Sequence, residues 1–334
     1  MPSLPAQGKE ESVSGRAAAG ISFDLDNLWS YLKTHGDPGW EAYPSYLDRL
    51  LPDVLDLFGR RNLRVSFFIV GRDASLEKNR AALRLIAEAG HEAGNHSFDH
   101  EPWIHRKTRL EIEADIGRAE TAILEATGLR PLGFRGPGFS WSPDLIEVLA
   151  ARGYLYDAST FPTFIGPLGR LYYFARSSLS ERQREERRKL FGGAAEGLRP
   201  VRPYFWRLRG GTTLLEIPVT TLPFLKTPFH LSYLLYLGAI SPASMRTYLR
   251  TALAACRAAG TGVSFLLHPL DFLAAADAPA LGFFPAMSLD RRKKRALVLD
   301  ALDIFSEYFD ILPVGAYAER CLAAPAALPR KGLR

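Results

Sequence analysis

Three features of the 334-residue chain predict an α/β fold on a mainly parallel sheet. Short apolar runs alternate with stretches of helical periodicity, most helical stretches end near a glycine, and neither an internal repeat nor a clean linker divides the chain. The runs 19–26, 64–70 and 91–96 have strand length, and helices are expected between and after them at 46–61, 76–89 and 108–127. Gly90 and Gly128 stop the second and third of these helices. A strand at 132–135 precedes a helix at 142–152, with Ser142 as its N-cap and Pro143 at its first position. Strands follow at 154–158, 213–219 and 263–268, with a helix at 242–259, and the chain closes on a helix at 289–308 and a strand at 311–314. An open doubly wound sheet and a closed or nearly closed barrel both fit this order.

Residues 1–17 read as a disordered lead-in, 18–320 as one domain and 321–334 as a tail. Two stretches, about 164–210 and 221–241, break the rhythm and read as insertions. The first holds a charged run, 182–189, suited to an exposed helix, and the second is rich in Leu, Phe, Tyr and Pro.

With 47% hydrophobic residues the chain can bury a large core, and its net charge of +6 favours acidic partners. The two cysteines, Cys256 and Cys321, have no metal-ligand spacing and read as reduced thiols. The opening residues lack the apolar run of a secretory signal and no segment has the length of a membrane span, so a cytoplasmic location is expected, peripheral at the inner face of the membrane. Basic residues are mixed with acids and accompany no recognition motif, which argues against nucleic acid.

The chemistry-bearing residues fall just after expected strands. Asp24 and Asp26 stand two apart, so both carboxylates leave the sheet on one face; such a pair calls for a cation or a shared proton, unless it only decorates a strand edge. His96 and His100 stand four apart, a spacing that on one helical turn brings both imidazoles to one side. His91 and His105 read as structural or solvent-exposed. Arg135, followed by the rigid turn Gly136-Pro137-Gly138-Phe139, can reach over and hold a carboxylate. His268 ends a buried strand, where α/β enzymes place catalytic groups, and Asp271 is a candidate to orient its ring.

Taken in order, these four clusters resemble the polysaccharide deacetylase family (NodB-homology, carbohydrate esterase family 4) from about residue 20 to residue 271. The resemblance implies a distorted, incomplete (β/α) barrel with insertions. It also implies a divalent metal held by Asp26, His96 and His100, with Asp24 as general base, Arg135 orienting it, His268 as general acid and Leu266 shaping the acyl pocket. Two departures stand out. Leu25 separates the two acids, as in the branch that resembles lipid-linked sugar deformylases, and Tyr154–Ser159 occupies the place of a family motif that usually carries tryptophan, which leaves the acyl pocket and Asp157 open.

The chemistry expected is metal-dependent hydrolysis of an amide, N-deacetylation or N-deformylation, with Zn2+ the favoured ion and backbone N–H groups of the Gly138–Phe139 turn near the oxyanion. The expected substrate is an N-acylated amino sugar on a lipid-linked (polyprenyl-phosphate) or nucleotide-linked glycan precursor. Apolar and basic residues of the insertions are expected to touch an anionic membrane. Rival readings are a cyclic imide or ureide hydrolase of the same superfamily, a non-haem iron oxygenase using the His/His/Asp set, and a non-catalytic binding module.

Overall fold

Strand β1 (Ala18–Leu25) sorts its side chains by alternation. Ile21, Phe23 and Leu25 enter the apolar layer beneath the covering helices, while Ser22 and Asp24 are buried on the opposite face. In the computed structural model, residues 16–177 and 179–333 are described; positions 1–15 of the expected lead-in lie outside them. The other strands are β2 (Ser66–Ile69), β3 (Glu92–Asn95), β4 (Gly133–Phe134), β5 (Tyr156–Asp157), β6 (Tyr204–Arg207), β7 (Thr213–Glu216), β8 (Ser264–Leu267), β9 (Asp310–Pro313) and β10 (Arg330–Gly332).

Their order is β10-β6-β7-β5-β4-β3-β2-β1-β8, with β9 also on β1. All pairings are parallel except β6 with β7. The segment past β7 reaches back to β8: Thr220 N donates to the Ser264 carbonyl at 3.1 Å, and Ser264 N to the Thr220 hydroxyl at 2.8 Å. The sheet therefore curls into an incomplete barrel, its last seam joined by these bonds and not by a ladder. Alternation repeats on β2 and β8, where Phe67, Ile69, Phe265 and Leu267 join the helix-covered core and Phe68 and Leu266 belong to separate inner clusters.

Helices Leu47–Gly59, Glu77–Glu88, Arg109–Thr127, Pro143–Ala151, Pro242–Ala258 and Arg291–Tyr308 form close to where periodicity predicts them. A capping box, Thr108 with Glu111, opens Arg109–Thr127, and Gly128 closes it in the left-handed region. Cys256 is buried and Cys321 half-buried, both as free thiols.

Three expectations need correction. The expected tail at 321–334 is structured through its described residues: helix Val314–Ala323 packs over β1, and β10 pairs with β6. The stretch 164–210 supplies its own sheet strand, β6, besides helices Gly166–Phe174 and Glu181–Glu186. The charged run is not uniformly solvated, because Arg187 is buried and donates to the carbonyls of Thr34 (2.9 Å) and Lys33 (3.1 Å).

Candidate metal centre and acid–base site

At the end of β1 the chain turns sharply. Asn27 Oδ1 accepts from Leu28 N at 2.8 Å and caps helix Leu28–His35, while Asn27 Nδ2 donates to Asp73 at 2.7 Å. Tyr46 donates its hydroxyl to the Asp26 carbonyl at 2.5 Å. These bonds fix the backbone that carries Asp24 and Asp26.

Asp26 Oδ1 lies 2.9 Å from His100 Nε2 and 3.2 Å from His96 Nε2, and all three residues are buried. The sequence spacing is met by a loop and not by a helical turn. Ser97 and His100 both adopt positive φ, 62° and 49°, which L side chains rarely take and which is kept where surrounding contacts impose it. His96 Nδ1 donates to the Arg135 carbonyl at 2.6 Å, a bond that fixes the tautomer and leaves Nε2 to face Asp26. His100 Nδ1 has no hydrogen-bond partner among the described residues.

Burial acts to raise the Asp26 pKa, yet the two imidazoles outweigh it and hold the carboxyl well below the usual range. Burial lowers His96, but its bond to Asp26 wins and the net shift is upward; for His100 burial prevails and the shift is downward. One anionic oxygen facing two imidazole nitrogens suits a divalent cation: the three ligand atoms lie within 4.8 Å of one another. The residues present thus fit the metal that the sequence implies.

Arg135 leaves β4 toward the interior, where it is fully buried. Its Nη1 donates to Asp24 Oδ1 at 2.6 Å and to Ser22 Oγ at 2.8 Å, its Nε to the Ala158 carbonyl at 2.9 Å, and its guanidinium lies 4.4 Å from the Phe68 ring centroid. Gly136 lets the chain fold back, since a Cβ there would sit 1.9 Å from the Ser140 carbonyl oxygen. Across the rim, His268 Nε2 faces Asp24 Oδ2 at 4.0 Å. The six residues expected to share one site therefore do so.

Two expected roles change. Phe139 N donates to the Gly136 carbonyl at 3.0 Å, so that amide is occupied by its own turn. Phe139 contributes its ring instead, 4.7 Å from Phe161, in a cluster where Phe161, Val219 and fully buried Leu266 form an apolar wall. Gly138 supplies the left-handed step of the turn (φ 57°), and its carbonyl accepts from Phe191 N at 3.1 Å. Asp271 meets His268 as a capping pair: its backbone N–H faces the imidazole, while its carboxylate Oδ2 accepts the His268 backbone N–H at 2.8 Å. The ring is also met by Ser232, whose Oγ lies 3.3 Å from His268 Nδ1 and which hydrogen-bonds Asp271.

Ser232 and His230 were missed by sequence reasoning. His230, buried and 5.7 Å from the His268 ring, is held well below the usual imidazole range by burial and by the neighbouring His268 and Arg135. Neither carries a sequence signal, since both come from a helix start more than thirty residues before His268. His91 is structural, accepting from Val65 N at 3.1 Å, and His105 meets the Ser140 hydroxyl at 3.0 Å.

Residues 37–156 match the family described as polysaccharide deacetylase. That span holds His96, His100 and Arg135, whereas Asp24, Asp26 and His268 lie outside it and are joined to them by the fold. A peptidoglycan deacetylase of Helicobacter pylori is 30% identical over 143 residues, which cover 41% of this chain and 47% of that protein; the match thus spans about half of the relative's length. A solved structure from Mycobacterium smegmatis described as a polysaccharide deacetylase is 19% identical, covers 99% of this chain and 97% of its own, and superposes with a TM-score of 0.62. The allantoinase PuuE is 17% identical, with 93% and 92% covered and a TM-score of 0.56. At these identities the two structures speak to the fold alone. Residues 37–156 thus match the polysaccharide deacetylase (NodB-homology) family in sequence, and the chain shares its α/β fold over nearly its whole length with the solved structure from M. smegmatis.

Proposed function

We propose that this chain is a metal-dependent hydrolase that removes an acetyl or formyl group from the nitrogen of an amino sugar on a glycan or on its lipid- or nucleotide-linked precursor. The observation that carries the reading is the joining of three elements at one rim: the Asp26–His96–His100 donor set, Asp24 clamped by Arg135, and His268 opposite Asp24. A divalent cation, Zn2+ by its fit to two imidazoles and a carboxylate, would be held by those three donors and would supply Lewis acidity to the acyl carbonyl.

The chain's own groups complete the chemistry. Asp24, oriented through Oδ1 by Arg135, keeps Oδ2 toward the rim, where it takes the proton of the attacking water. His268 gives its Nε2 proton to the leaving nitrogen, and Ser232 fixes the ring through Nδ1. Leu266, Val219 and Phe161 pack as an apolar cluster against which a short acyl group would lie. An iron oxygenase would have no use for an arginine-clamped carboxylate facing an imidazole, which favours hydrolysis over that rival. The test is mass spectrometry of N-acetyl and N-formyl amino sugars, free and on lipid and nucleotide carriers, incubated with zinc-loaded protein. Loss of the acyl group from at least one class is expected; a protein that binds zinc stoichiometrically yet deacylates none of them refutes the reading.

A further inference from the structure

The two insertions combine positive charge with exposed apolar side chains. Residues 164–241 hold twelve Arg and Lys against five Asp and Glu, an excess of seven in a chain whose total excess is six. The basic character of the protein therefore resides there, and the remainder is close to neutral.

The same residues expose apolar side chains. Leu168 and Leu171 stand three apart on helix Gly166–Phe174, both 65% exposed, and Phe164, 49% exposed, precedes the helix. An amphipathic helix in a folded protein turns such a stripe inward; this one turns it outward. Leu198 is 78% exposed beside Gly197, whose backbone lies against the Phe164 ring. Phe224 and Leu225, 91% and 69% exposed, form the tip of the loop closed by the Thr221–Pro228 bridge.

Hydrogen bonds tie these segments into one surface. Thr163 Oγ1 donates to the Lys226 carbonyl at 2.8 Å, and Lys226 Nζ to the Arg199 carbonyl at 2.6 Å. Exposed cations border it: Arg176 lies over the Tyr172 ring at 3.9 Å, and Lys189 and Arg202 flank the adjoining segments. Helix Leu231–Ile240, in contrast, buries Leu231, Leu234 and Leu235 and exposes Tyr233 and Tyr236, so the run 222–237 contributes both core and surface.

We infer that this face docks on an anionic lipid surface, with Phe164, Leu168, Leu171, Leu198, Phe224 and Leu225 entering the headgroup boundary and the surrounding Arg and Lys meeting lipid phosphates. Protruding apolar tips ringed by positive charge match both components of such an interface. The face also borders the chemistry. Phe161, which packs with Leu266 and Val219, lies two residues before Thr163, and His230, beside the His268 ring, lies five residues past Leu225. Docking would set the mouth of the site at the lipid surface, where a lipid-linked glycan presents its sugar; that consequence rests on the hydrolase reading, whereas the docking itself does not.

The experiment is co-sedimentation of the full chain with vesicles of phosphatidylcholine alone and of phosphatidylcholine with phosphatidylglycerol, at low and high salt. Binding is expected to the anionic vesicles only and to weaken with salt. Phe224→Ser with Leu225→Ser should reduce partitioning about tenfold or more, and Leu168→Ser with Leu171→Ser by a similar factor, given the apolar area each pair withdraws. Both variants should keep wild-type turnover of a soluble N-acylated oligosaccharide. No binding to anionic vesicles at low salt, or equal binding to neutral ones, overturns the inference. So does concentration-dependent self-association abolished by the same substitutions, which would assign the face to a second copy. Failure of the hydrolase reading would appear separately, as absent turnover by protein that still sediments.

Discussion

Two pairs of buried carboxyl groups sit on this sheet, and they are treated in opposite ways. Asp24 and Asp26, at the end of β1, each face cationic or proton-sharing partners: Arg135 for the first, His96 and His100 for the second. Asp157 and Glu216, paired across β5 and β7, hydrogen-bond each other and, among the described residues, accept from the neutral donors of Ser159, Thr160 and Trp206. Burial, together with the carboxyl of its partner, raises Glu216 well above the usual range, and burial raises Asp157. A buried carboxylate survives as an anion only where charge is returned to it. The rim pair is thereby given compensating partners, whereas burial pushes the interior pair toward its neutral form.

The largest effect should follow from removing charge where it is kept. Asp24→Asn preserves shape and the Arg135 contact but loses a proton acceptor, so kcat should fall by about 10²–10⁴ with zinc content unchanged. His96→Ala should lose zinc as well, which metal analysis of the two purified variants will separate. Wild-type turnover by Asp24→Asn would sink the assignment of the base. Next in size is Arg135→Met. It leaves Asp24 buried without its cation, and stability should drop by about 3–5 kcal/mol, measured by urea unfolding. A Met variant as stable as the parent would show that Asp24 needs no compensation.

Much of the rim was legible because its residues follow strands, and a strand end is marked by an apolar run that stops. Asp24, Arg135 and His268 announce themselves this way. The His96–His100 pair was legible by spacing, although its geometry was not: positive φ at Ser97 and His100 comes from the packed loop and has no glycine to signal it. Ser232 was illegible because its role depends on a helix start meeting His268 through the barrel seam, a contact set by tertiary packing. Strand β10 escaped for a different reason. Arg330–Gly332 is exposed and polar and pairs by backbone alone, so no periodicity marks it.

Ser232 offers the third test. A positioning hydroxyl on His268 Nδ1 is worth about one neutral hydrogen bond, so Ser232→Ala should lower kcat roughly three- to tenfold. KM should stay unchanged and Ser232→Thr should restore the rate. A change confined to KM would instead place the hydroxyl in substrate binding.

The smallest effect is expected at the interior pair, and its sign follows from the raised pKa values. In the unfolded chain both acids ionise at ordinary carboxyl values, whereas in the fold they hold their protons to higher pH. The native state therefore binds more protons, and stability falls as pH rises from the unfolded values toward the folded ones. Asp157→Asn removes one titrating group and directs an amide N–H toward Glu216, while its carbonyl still accepts from Ser159. The variant should be more stable than the parent above neutral pH by roughly 1 kcal/mol and should show a flatter pH dependence of Tm. Parallel Tm–pH curves for the two proteins would mean that Asp157 is already ionised in the fold, and the contrast between rim and interior would then dissolve.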